Sequence, residues 1–177
     1  MLAKQGNRGN KVNTKRLALY ALFVSICLVV GYLESFLSLT LIAAIPGIRL
    51  GLSNAVALVL VCRGDIKGAW AVNIARICLS ALLFGSPISL MFSLSGGIAS
   101  LAVVSVISRL KSVSEIGMSI ASGAIHNVFQ CVAAMVFVGA GVVYYLPVLL
   151  FFGALCGAFC GILAQVTIKK LKTKSNF

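Results

Sequence analysis

Two arginines stand where a positive charge is expensive. Arg76 follows Lys67 by nine residues within an apolar run, so a helical rise of 1.5 Å per residue places it roughly 13 Å into a membrane. Arg49 precedes Arg63 in the same way, and the same rise puts it roughly 21 Å away, in the outer half. A cation at such depth must face a partner or a water-filled cavity, which makes both residues candidates for a functional site. The chemistry they offer is the binding of phosphate, diphosphate or carboxylate groups.

Polar side chains recur at helical spacing around them. Asn73, Arg76 and Ser80 share one face, and Ser119, Gly123, His126 and Gln130 form a second stripe with Asn127 beside it. Ser53 and Asn54 prolong the site from Arg49, and Glu34 is the one acid clearly outside the cytoplasmic boundary. Two arginines and a histidine therefore share a single carboxylate, which leaves spare positive potential for an anionic ligand. The alternative is a structural polar core in which Glu34 neutralises one arginine and the amides satisfy one another. His126 could carry a proton, touch a ligand or pack against an amide. The expected substrate-binding set is Glu34, Arg49, Asn54, Asn73, Arg76, His126, Asn127 and Gln130.

The elements that position these residues are membrane helices. Hydrophobic residues make up 60% of the chain and charged residues 10%, and the apolar residues run in blocks too long for a soluble domain. Thirteen of the 15 basic residues fall in clusters at block ends: the first 16 residues, Arg63 and Lys67, Arg109 and Lys111, and Lys169 to Lys174. Basic clusters mark the cytoplasmic side. Placing all of them there predicts an all-α bundle of six transmembrane helices with both termini cytoplasmic, in the inner membrane. Residues 1–16 and 169–177 would be basic cytoplasmic tails and 17–168 the membrane domain. The run from Leu17 to Leu33 reads as a retained helix, because further spans follow and no small-residue cleavage site does. The outward turns would be Ala43 to Ile48, Gly85-Ser86-Pro87, and Gly139 to Pro147 with Tyr144 and Tyr145. The second span has only Leu50 to Cys62 between its arginines, so it is short or preceded by a re-entrant segment. Gly153, Gly157 and Gly161 on the sixth span allow close approach of another helix.

These features exclude several functions. The net charge of +12 is a topology signal here, so no nucleic-acid partner is expected. Six cysteines without a CxxC pair read as reduced packing residues, with no metal and no cofactor. There is no GxxxxGK[ST] loop, so ATP-driven uptake would need separate scaffold and ATPase chains. Prenyl chain elongation needs Mg²⁺ held by several carboxylates, and the chain has three acids in all. It is not expected to be an enzyme, though it could hold a lipid or diphosphate for one. An anchor in a membrane redox assembly is a further alternative.

Four segments carry a resemblance: GIRLGLSN from Gly47, NIARICLSALLFGS from Asn73, FSLSGGIAS from Phe92 and SGAIHNVFQ from Ser122. They resemble the Gx transporter family, also labelled heptaprenyl diphosphate synthase component I, over essentially the whole membrane portion. That family is similar in size and layout to the substrate-capture subunits of energy-coupling factor transporters. The resemblance implies capture of a small anionic solute from outside, with Pro46 to Arg49 in a covering loop. It also implies a small-residue docking face on the first helix, which Ala18, Ala21 and Ser25 match in part.

Overall fold

A computed structural model describes residues 14–41, 53–84, 87–110 and 113–174. Its elements are α1 (Thr14–Leu41), α2 (Asn54–Cys62), α3 (Ile66–Phe84), α4 (Pro87–Ile107), α5 (Glu115–Val138), a 3₁₀ turn (Ala140–Tyr145) and α6 (Leu146–Lys174). No strand occurs among the described residues. Among the described residues, five helices are long and apolar enough to cross a membrane, all except α2. The protein is thus an all-helical, multi-pass membrane protein, and its large apolar side chains cover the outside of the bundle as lipid demands. Leu82, Val136 and Phe151 are among them.

The element that departs from a plain six-span reading is α2. Its nine residues extend roughly 14 Å, under half of a hydrocarbon layer of about 30 Å. Residues 42–52, which would lengthen the expected second span, lie outside the described residues, as do the turn at Pro46 and Arg49 itself. This short helix is the centre of the molecule: it packs against each of the other five α-helices. Ala57 to Val61 are all buried, which a helix apolar on every side requires.

Local chemistry sets the helix ends. The α2 helix stops where Gly64 adopts φ +82°, with Gly64 N–H donating to the Val61 carbonyl and Asp65 N–H to that of Leu60. This pair of bonds is the Schellman arrangement. Asp65 then caps α3 by accepting from Gly68 N–H at 3.0 Å, and the same carboxylate accepts from the Tyr20 hydroxyl of α1 at 2.5 Å. Ser114 caps α5 through Gly117 N–H, with Glu115 in the first turn favoured by the helix dipole. Tyr144 and Tyr145 fall on the exposed 3₁₀ turn between α5 and α6, as expected of an interfacial connection. The last helix runs on to Lys174, so the basic stretch expected as a tail from 169 begins as helix.

Glycine decides the closest packing. A side chain at Gly157 would meet the Ser119 carbonyl at 2.7 Å and Ile120 Cα at 2.9 Å, and one at Gly161 would meet Ile116 Cα at 2.7 Å. The stripe on α6 therefore lies directly on the α5 backbone, an internal interface. On α4, Gly96 and Gly97 do the same for two neighbours at once. A Cβ at Gly96 would sit 2.9 Å from His126 Cε1 on α5, and one at Gly97 would sit 2.6 Å from Ile77 Cδ1 on α3.

Candidate functional site

Arg76 is the hub of a polar cluster built by α2 and α3. Its Nε donates to Asn73 Oδ1 at 2.9 Å, its Nη1 to Ser53 Oγ at 2.5 Å, and its Nη2 to Asn54 Oδ1 at 2.5 Å. The i, i+3 spacing on α3 delivers Asn73 to the guanidinium, and Asn73 is 1% exposed. Its amide nitrogen reaches across to the Gly97 carbonyl of α4 at 3.1 Å. All three of these acceptors are neutral. Ser80, expected on the same face, bonds back to the Ile77 carbonyl of its own helix at 3.2 Å and does not join the cluster.

The second stripe lies on α5, facing α2 and α6. Ser119, His126, Asn127 and Gln130 are all buried. Asn127 donates to the Leu149 carbonyl of α6 at 2.6 Å, which fixes α5 against the first turns of α6. The His126 ring is seated on α4 at Gly96. Between these helices is a cavity of about 20 Å³, lined in part by Asn54, Ser119, Ser122, His126, Asn127 and Cys160. That volume suits about one water molecule. A second cavity of about 10 Å³ borders Asn54, Asn73 and Ser122.

Asn54 joins the two stripes. It accepts from Arg76 and lines both cavities. Arg76 bonds to Asn54 and His126 lines a cavity with Asn54, so the two stripes are linked through α2, a short helix that the spacing of polar residues does not reveal. Of the expected binding set, Asn54, His126 and Asn127 line the larger cavity and Asn54 and Asn73 the smaller, while Arg76 lines neither and bonds to Asn54 and Asn73. Gln130 lies one turn beyond His126 on α5. Arg49 and the Glu34 side chain lie outside the described residues.

Sequence reasoning left Ser53 as an extension of the site, whereas it is a direct partner of Arg76. It also missed the Gly96-Gly97 pair, although two adjacent glycines inside an apolar run signal close backbone approach. All six cysteines are free. Among the described residues no group of three or more metal-ligating side chains occurs.

At the cytoplasm-facing end expected from the charges, Asp65 ties α1 to α3. Its carboxyl is held below the usual 3.8, chiefly by the Tyr20 hydroxyl; burial opposes this, and the Gly68 N–H and the Arg16 charge add smaller lowering effects.

No curated protein and no solved structure matches the chain. The profile of the family described as heptaprenyl diphosphate synthase component I, however, matches residues 23–167, well over half of the chain and every span that frames the polar cluster, so the protein belongs to that family.

Proposed function

We propose that the protein is a non-enzymatic substrate-binding subunit for transport, capturing a small anionic solute from outside the cytoplasmic membrane. The observation that carries this reading is the convergence of Arg76 with Ser53, Asn54 and Asn73 where α2 meets α3. In this reading the guanidinium supplies the charged donors for an oxoanion. The buried stripe of Ser119, His126, Asn127 and Gln130 supplies uncharged donors and acceptors for the rest of a ligand.

The two cavities are small, so capture requires the α2 end of the bundle to open. Glu34 and Arg49 complete the site in this reading, with Arg49 adding a second cation. Both termini lie in the cytoplasm, and separate scaffold and ATPase chains power uptake. Support for a docked scaffold is the position of α1: among the described residues it packs only on α3 and α2, leaving Ala18, Ala21 and Ser25 exposed.

The family's printed description favours a second reading: a non-catalytic membrane subunit of a prenyl diphosphate synthase, holding a diphosphate for a catalytic partner. The same polar cluster would serve it. Mass spectrometry of a denatured extract of the purified protein separates the two. A vitamin-like or flavin-like anion supports capture for transport, a prenyl diphosphate supports the second reading, and an extract with no anionic small molecule in any growth medium contradicts both.

A further inference from the structure

Two asparagines in the bundle each have one end of the amide fixed by a neighbour, and the fixed ends are opposite. Asn54 gives its oxygen to Arg76 Nη2. A guanidinium only donates, so the NH₂ of Asn54 is the end turned to other use. Asn127 gives its nitrogen to the Leu149 carbonyl of α6. A carbonyl only accepts, so Asn127 keeps its oxygen, an acceptor. Both residues line the larger cavity, which thereby has a donor in its α2 wall and an acceptor in its α5 wall.

The rest of the lining completes a small polar cage. Ser119 and Ser122 stand i, i+3 on α5 and both border the space, and a hydroxyl can donate or accept. Glycine makes the room: Gly123, Gly153 and Gly157 are in the wall, and a side chain at Gly153 would strike the Asn127 amide nitrogen. A cavity holds a water when it offers at least about 10–15 Å³ and two to four polar partners. This one has about 20 Å³ and meets both conditions. Its described lining includes no carboxylate, which a hard cation would require.

We propose that the larger cavity binds one resident water, which accepts from the Asn54 NH₂, donates to the Asn127 oxygen and is steadied by the Ser119 and Ser122 hydroxyls. The water closes a hydrogen-bond chain from Arg76 through Asn54 and Asn127 to the Leu149 carbonyl. That chain ties α3 and α2 to α5 and α6 in the middle of the bundle. The water site stands whether or not Arg76 binds an anion.

The free cysteines report on it. Cys160 lines the cavity and Cys131 does not, yet each is 2% exposed. A short X-ray pulse turns bound water into hydroxyl radicals that oxidise a neighbouring thiol. With the full chain in lipid nanodiscs prepared in isotope-labelled water, Cys160 should take up the label about tenfold faster than Cys131. Ser122→Val, which fills the space with methyl groups, should bring Cys160 down to the Cys131 rate. If Cys160 is oxidised no faster than Cys131 in the unmodified protein, or stays fast in folded Ser122→Val, no water is bound here and the proposal is wrong. The chain is tested by thermal unfolding of Asn54→Leu and Asn127→Leu, alone and combined. Each single change strands the amide on the other side of the water, whereas the double change strands neither, so the combined loss in Tm should be smaller than the sum of the two. Additive losses would show that no water joins these amides, and would overturn the chain.

Discussion

A guanidinium bonded to amide and hydroxyl oxygens and a carboxylate fixed by a phenol show how single side chains divide the work. Arg76 gathers polar groups of α2 and α3, whereas Asp65 uses its charge to fasten α1 to the start of α3. The Tyr20 hydroxyl bonds to the ionised carboxylate and favours that form, so the folded Asp65 titrates below 3.8. A carboxyl with a depressed folded pKa contributes stability above its unfolded pKa and loses it as the pH falls through the folded value. Tyr20→Phe should therefore lower the Tm at pH 7 by the equivalent of about 1 kcal/mol, since a charge-assisted bond is discounted here by solvent screening. The difference from the unmodified protein should shrink once the pH drops below about 3.8, and an undiminished difference in acid would contradict a bond that depends on the ionised carboxylate. Arg76 and Asn73 were legible from spacing alone, because i, i+3 on a helix leaves little choice of partner. Ser53 was less so: its place at the guanidinium depends on where α2 starts, which no local pattern states.

At the level of elements, the site depends on helices lying closer than ordinary side chains permit. The glycines of α6 rest on α5 backbone, and those of α4 let His126 and the Ile77 tip settle against the helix. The cost of a side chain depends on what it strikes. Gly157→Val would drive a branched side chain into Ser119 and Ile120 backbone atoms at 2.7–2.9 Å, and should lower stability by about 3 kcal/mol or more. Gly97→Ala meets chiefly the movable tip of Ile77 and should cost only about 1 kcal/mol. Gly141→Ala, with nothing within 4 Å, should be near neutral and serves as the control. Thermal unfolding in detergent measures all three, and equal losses across the series would refute the packing argument. The glycine repeat on α6 was visible in the sequence as an interface. What it packed against was not, because a close-approach motif marks a surface without naming its partner. The five long spans were legible for a simpler reason: block length and charge placement report lipid directly. The second span was not, since Arg49 and Arg63 bracket too few residues for a crossing and periodicity cannot distinguish a short buried helix from part of a longer one.

Among the described residues the molecule is five long helices packed with a short central one, with Asn54 bonded to Arg76 and lining a polar cavity that reaches His126. Its proposed orientation rests on basic clusters at Arg63 and Lys67, at Arg109 and Lys111, and on α6 from Lys169. Single cysteines at positions 63 and 109 of a cysteine-free protein should both label only from the cytoplasm, and labelling of position 109 from outside would overturn the arrangement. The central claim is that this polar space exists to bind an anion at Arg76, and a structural role for the arginine makes the opposite forecast. The direct measurement compares the anion co-purifying with the unmodified protein and with Arg76→Gln, alongside the Tm of both in the same detergent. Removing a charge that costs roughly 2.5–3.5 kcal/mol to insert should leave insertion intact, and binding should suffer because the ligand's charge is then buried without its partner. The account predicts a folded Arg76→Gln protein, with a Tm close to the unmodified value, that retains less than about a hundredth of the anion. A variant that loses stability yet carries the anion at the unmodified level in its folded fraction would contradict it.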